Sequence, residues 1–231
     1  MRLGFVSVAM LVALTAWLAL SPGARADVTD LSNGVFIVHH EPEIQYSDDP
    51  PGGDWCRYYT DSYAIHACDE QNPRIDSAPG EIAVWYILSA WEEEKEFCGV
   101  QFCFADYDED LFTFLNWGSC CPSTGCLEIP TMGWPGPNEG TAMARLDLPW
   151  AGNFLPVYWF AGYAYGTGVL PLGMVPWPQY TGWANCIPQI PGEFTATCVG
   201  GLGVNTEGHE CCGGATPAEI QTWGSLKQMF R

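Results

Sequence analysis

Asp106, Asp108 and Asp110 form a D-x-D-x-D run, a spacing that can turn several carboxylate oxygens toward one calcium ion. Leu111 stands where an EF-hand loop needs glycine, and Trp117 where it needs a chelating glutamate. The run therefore reads either as a calcium turn of another kind or as a solvated turn between strands. Glu92, Glu93 and Glu94 would lend further oxygens if the two acidic segments were neighbours.

Eleven cysteines form the second reactive set: Cys56, Cys68, Cys98, Cys103, Cys120, Cys121, Cys126, Cys186, Cys198, Cys211 and Cys212. Zinc ligation by Cys120, Cys121 and Cys126, or by His209 with Cys211 and Cys212, lacks the paired spacing that lets one turn present two ligands to a tetrahedral ion. Disulfides are the stronger reading for an exported chain. The odd count leaves one thiol over, and the adjacent pairs Cys120-Cys121 and Cys211-Cys212 should each reach separate partners, because bonding to each other would strain the backbone.

The third set is aromatic. Between Trp134 and Trp183 the chain carries a dense run of Trp, Tyr and Phe, whose rings can stack on sugar faces or anchor a protein interface. Trp134, Trp177 and Trp183 lie beside Gly or Pro and are expected on loops as ligand-binding candidates, with packing in a glycine-rich core as the competing reading. Catalytic signatures do not add to this. The sequence has no G-x-S-x-G elbow, H-E-x-x-H pair, P-loop or dinucleotide-binding G-x-G-x-x-G, and its four histidines, His39, His40, His66 and His209, belong to no recognisable set. No catalytic residue is assigned. A carboxylate pair for glycoside hydrolysis stays open, because the separation it needs is spatial and 27 acidic residues supply many candidates.

These residues must be positioned by a chain of 231 residues with a formal charge of -19, of which 48% is apolar and only 15% charged. That is too much core material for an acidic disordered chain, and there is no basic stripe to engage phosphates, so nucleic acid and anionic headgroups are poor partners. Met1-Arg2, the apolar run Leu3 to Leu20 and Ala24-Arg25-Ala26 read as a signal peptide over 1–26, which predicts export and a mature start at Asp27. No later run is long and apolar enough to predict a membrane span.

Two-residue alternation predicts strands at Val35 to His39, Val100 to Phe104, Leu111 to Trp117, Leu155 to Tyr165 and Phe194 to Val199. Glu81 to Trp91 is apolar on both faces and reads as a central strand. Thr141 to Leu148 predicts a half-buried strand with Ala142, Ala144, Leu146 and Leu148 on the core face. From Gly118 to Pro217 the longest run free of Gly and Pro is eight residues, which excludes ordinary helices there. Cys56 and Cys68 are expected to staple a loop or short helix onto the sheets.

The pattern predicts an all-β fold: a disulfide-reinforced β-sandwich, jelly-roll or immunoglobulin-like, over 27–214. A tail over 215–231 follows, where Thr216-Pro217-Ala218-Glu219 forms a capping box and Ile220, Trp223, Leu226 and Phe230 share one face of a short amphipathic C-terminal helix.

The segment Cys98 to Leu111, CGVQFCFADYDEDL, resembles cohesin-like and related bacterial immunoglobulin-like sandwich modules, in which a gly-apolar-x-phe strand runs into a tyr-asp turn. That resemblance implies a sandwich fold and, by analogy alone, a partner-binding role. Thr222 to Arg231, TWGSLKQMFR, is similar to the closing segment of exported bacterial proteins, which implies anchoring or transport by analogy. The function expected is thus a non-catalytic, exported surface or extracellular interaction module that binds a surface protein or polysaccharide. A carbohydrate-binding module is the alternative and a glycosidase the third reading. No cofactor is expected except calcium.

Overall fold

The structure, a computed structural model, describes residues 30–78, 80–121, 125–174, 181–186 and 192–211. The expected signal peptide, Trp177, Cys212 and the C-terminal helix lie outside the described residues.

Thirteen strands are described, in the order β1 (Val35–His40), β2 (Arg74–Ile75), β3 (Ala83–Phe97), β4 (Gly99–Phe104), β5 (Phe112–Ser119), β6 (Cys126–Pro130), β7 (Gly140–Arg145), β8 (Trp150–Ala164), β9 (Gly168–Gly173), β10 (Gly182–Ala184), β11 (Glu193–Thr195), β12 (Cys198–Val199) and β13 (Gly201–Val204). Helix α1 (Trp55–Ser62) lies between β1 and β2. One sheet has five strands in the order β12-β1-β3-β8-β5. The other has eight: β11-β10-β4-β9-β13-β2, with β7 also on β4 and β6 on β7. Parallel pairs occur where β12 meets β1 and β2 meets β13; the remaining pairs are antiparallel. The fold is the disulfide-reinforced all-β sandwich that the alternation predicts.

The sheets meet through an aromatic core. From the five-stranded sheet come Phe36, Trp85 and Phe160, and from the eight-stranded sheet Phe102, Phe104 and Trp183, all fully buried. Trp85 stacks on Phe160 with centroids 4.3 Å apart, and Phe36 stacks on Trp183 at 4.5 Å. Such pairs add about 1 kcal/mol each beyond area burial.

The opposite face of the five-stranded sheet is also buried. Val84, Tyr86 and Leu88 of β3 pack under α1 and its flanking loop through Trp55, Tyr59, Ile44 and Ile65. This accounts for a β3 sequence that is apolar on both faces. Helix α1 starts where the Asp54 carboxylate accepts hydrogen bonds from the backbone N–H groups of Cys56 (2.8 Å) and Arg57 (2.9 Å).

Two expectations are corrected. The central strand does not end at Trp91: β3 runs on to Phe97, and Glu92 to Glu94 form an exposed irregularity within it where the register against β8 shifts between Ala90 and Lys95. In β7 the predicted face is reversed, since Thr141 and Met143 are 2% and 3% exposed while Leu146 and Leu148, beyond the strand, are 74% and 64% exposed. Alternation supplies a period of two but not its phase, which pairing with β4 and β6 sets.

Four disulfides join described residues: Cys56–Cys120, Cys98–Cys186, Cys121–Cys126 and Cys198–Cys211. Cys68 is disulfide-bonded as well, and Cys103 is a buried free thiol. Cys120 and Cys121 reach different partners, as their adjacency requires. The Cys56–Cys120 bond spans 64 residues and fastens α1 to the end of β5, whereas Cys121–Cys126 spans five. Chain entropy assigns about 4 kcal/mol to the first and about 2 kcal/mol to the second. Denaturant unfolding of Cys56→Ala/Cys120→Ala should accordingly show about twice the destabilisation of Cys121→Ala/Cys126→Ala. Equal losses would contradict the entropic assignment.

Candidate functional site

Two of the three tryptophans expected on loops are core residues. Trp134 sits in the turn between β6 and β7, yet its ring is 8% exposed, stacks on Phe104 at 5.3 Å, and donates from Nε1 to the Tyr158 hydroxyl (2.9 Å). Trp183 is fully buried and donates from Nε1 to Ser89 Oγ (2.7 Å). Neither ring presents a face to a sugar. The neighbouring Gly and Pro residues turn the backbone inward, and the small residues leave volume for the indoles. Trp177 lies outside the described residues.

Two of the three aspartates of the D-x-D-x-D run serve separate local roles. Asp108 caps the 3-10 turn Glu109–Leu111 by accepting from the Asp110 N–H (3.0 Å), and Asp106 accepts from Asn138 Nδ2 (3.4 Å). Glu92 to Glu94 cannot join them. Phe112, just after the run, pairs with Ala164 of β8, while Lys95 pairs with Gly152 at the far end of the same strand. Twelve strand residues place the two acidic segments ~40 Å apart. Among the described residues no group of three or more His, Cys, Asp or Glu side chains is arranged to hold a metal ion.

A different surface stands out. In β6, Glu128 points inward, where Oε1 accepts from the Tyr158 hydroxyl (2.9 Å) and from Thr141 Oγ1 (3.2 Å). With Trp134 donating to Tyr158, a chain of four side chains pins the register of β6. Burial, with the Glu128 charge acting in the same direction, keeps the proton on Tyr158 by raising its pKa. The cost of this polar plug is that Leu127 and Ile129 must face outward, 49% and 61% exposed.

Registration extends that face across the sheet. Leu127 opposes Ala144, which opposes Gly99, then Ala184, then Glu193. Ile129 opposes Ala142, then Gln101, Gly182 and Thr195. Apart from Gln101 the middle strands carry small residues, and at Gly99 there is no room for a larger one: a Cβ there would lie 2.9 Å from that of Ala184. The result is a shallow trough bordered by Leu127 and Ile129, with Leu146 continuing the row beyond Ala144. A one-sided sheet ordinarily presents polar residues outward, and this exposed apolar row is the departure from that pattern that makes the face a candidate site.

The second feature is a cleft of about 210 Å³ at the end of the sandwich where β1, β2 and the start of β3 meet. Its lining includes His40, Asn72, Arg74, Asp76, Glu81 and Ile82. His39 and His40 are consecutive in β1 and so point to opposite faces. His40 Nδ1 lies 2.9 Å from the Val84 carbonyl, which can only accept. Nδ1 therefore carries the proton and Nε2 the lone pair. Burial lowers the His40 pKa against the opposing pull of Glu41, Glu81 and Asp76. His39 takes the other tautomer: its Nδ1 accepts from the Asn72 N–H (3.1 Å), leaving Nε2–H 3.9 Å from Glu41 Oε2. Burial lowers its pKa to about 4.

The chain matches no protein-family model, no curated protein and no solved structure. The disulfides indicate an oxidising environment. Among the described residues no helix is long and apolar enough to cross a membrane. Neither the trough nor the cleft was found from sequence. The L-E-I alternation of β6 carries the right period but suggests the opposite facing, and the adjacent histidines give no hint that Arg74 and Glu81 converge on one of them.

His39 yields a pH prediction. It is 3% exposed and neutral when folded, with a pKa of about 4, while the unfolded ring binds a proton near 6.5. Between those values the unfolded chain holds the extra proton, so stability falls as pH drops through the window, by about 3 kcal/mol in all. His40 contributes in the same direction. His39→Asn, whose Oδ1 can take over the Asn72 hydrogen bond, should reduce the loss measured by urea unfolding between pH 7 and pH 4.5 by about 2 kcal/mol, leaving the His40 contribution in place. An unchanged loss would contradict the assignment.

Proposed function

We propose that this chain is an exported, non-catalytic interaction module that docks a neutral or basic partner at the cell surface or outside the cell through the outward face of its eight-stranded sheet. The observation that carries this reading is the apolar trough, where exposed Leu127 and Ile129 border a bed of small residues. A formal charge of -19 disfavours acidic partners and close self-association. Several disulfides and a signal-peptide-like leader agree with work outside the cytoplasm. The likeness of Cys98 to Leu111 to cohesin-like modules points the same way.

Carbohydrate binding is the second reading, and it rests on rings other than Trp134 and Trp183. Tyr163 and Tyr165 lie with their centroids 6.4 Å apart and their planes 29° from parallel, and Tyr165 is 50% exposed. Two near-parallel rings of this kind suit a sugar face.

The two readings separate in one binding assay on the disulfide-intact protein, run against envelope material and a panel of insoluble polysaccharides. Leu127→Glu/Ile129→Glu should lower retention on envelope material at least tenfold while leaving Tm within a few degrees, because neither side chain is buried. Retention on a glycan that Tyr163→Ala/Tyr165→Ala abolishes, with the Leu127/Ile129 variant unaffected, would replace docking with sugar binding.

A further inference from the structure

The end cleft lies apart from the trough, and an argument about its ligand stands whether or not the trough docks a partner. At about 210 Å³ it falls below the ~300 Å³ at which sites for larger small molecules begin, so it holds a group the size of one side chain. Ile44, Ile82 and Ala83 give it apolar walls.

Most of its polar groups are already engaged. Asn72 donates from Nδ2 to the His40 carbonyl (2.9 Å) and accepts at Oδ1 from the Arg74 N–H (3.3 Å). The Arg74 guanidinium is held by Asp76 Oδ1 (2.8 Å) and by Glu207, two carboxylates that more than neutralise it and leave Asp76 Oδ2 free. Ser77 Oγ accepts from Asn205 Nδ2 (2.6 Å). What remains is chiefly acceptors: the His40 Nε2 lone pair, Asp76 Oδ2 and the Glu81 carboxylate, which makes no ion pair with a described residue. Asp76, Glu81 and Glu207 outnumber the one guanidinium, so the free acceptors carry net negative charge. An anion is repelled by that charge, and a neutral hydroxyl or amide ligand leaves it uncompensated. An ammonium brings three donors and no acceptor.

We infer that the cleft binds a primary ammonium group on an aliphatic stem, with Glu81 and His40 Nε2 receiving its hydrogen bonds and Ile44 and Ile82 flanking the stem. The same chemistry is carried by the lysine side chain of a protein and by a free alkylamine.

The test is a titration at pH 7.5 of the full chain, disulfides intact, read by the His40 imidazole resonances in 1H–15N NMR. The probes are n-butylamine, Nα-acetyl-lysine methylamide and, as a stem without charge, n-butanol. The two amines should move the His40 signals saturably with millimolar dissociation constants, and butanol should not. Glu81→Gln, a change at an exposed side chain, should weaken amine binding about tenfold while leaving Tm unchanged, as loss of a charge-assisted hydrogen bond requires. Tighter binding of the lysine derivative assigns the site to protein lysines, and tighter binding of butylamine assigns it to free amines; either ranking supports the inference. No saturable shift with either amine, equal shifts with butanol, or undiminished binding by Glu81→Gln would overturn it.

Discussion

The antiparallel ladder between β3 and β8 is the constraint on which the rest of the molecule depends. Both strands are fifteen residues long, and over Ala83 to Ala90 the register against Gly162 to Phe154 is nearly continuous. A backbone buried on both faces must satisfy its amides within the sheet, because water cannot reach them. The aromatic rings that alternate along these strands then fix what packs on each side. Trp85 and Phe160 face the second sheet, while Tyr86 and Trp159 face α1. The layers are thus three: a helix with its loop, the five-stranded sheet, and the eight-stranded sheet.

Helix α1 and its loop cover the five-stranded sheet over β3, while β5 keeps Leu115 and Trp117 exposed; the trough lies on the outer side of the eight-stranded sheet. That side differs from an ordinary solvated face because of one half-buried acid. Glu128, tied to Tyr158 and Thr141, turns Leu127 and Ile129 outward. Close spacing across Gly99 and Ala184 then keeps the centre of the face shallow. The cleft arises from the other consequence of the layered build: at the end of the sandwich, β1 delivers His40 beside the first residues of β3, and the two neighbouring histidines settle into opposite tautomers.

The sandwich itself was legible in the sequence, for identifiable reasons. Strands with strong apolar alternation or two apolar faces, β1, β3, β4, β5 and β8, stand close to where the pattern puts them. Phe194 to Val199 resolves into two short strands, β11 and β12, because the chain leaves one sheet and joins the other. Glycine-rich β9, β10 and β13 were not legible, since a strand of small residues carries no period to read. The cysteines announced cross-linking and one spare thiol but not their partners, which depend on tertiary proximity. The indole rings were misjudged because Gly and Pro neighbours signal a turn without saying which way its side chain points. The trough was invisible for the same reason as the phase of β7: period-two alternation does not say which face is in.

That phase is the central claim, and two methionines report on it. Met132 is 96% exposed in the turn after β6, and Met143 is 3% exposed in β7. A slip of one residue in β7 would carry Met143 to the outer face and bring Ala142 and Ala144 into the core. Mild oxidation of the native, disulfide-intact protein with hydrogen peroxide, followed by peptide mass spectrometry, measures both at once. The account predicts sulfoxide at Met132 well before Met143, with Met143 protected until the chain unfolds. Oxidation of Met143 at a rate close to that of Met132 in the folded protein would contradict it.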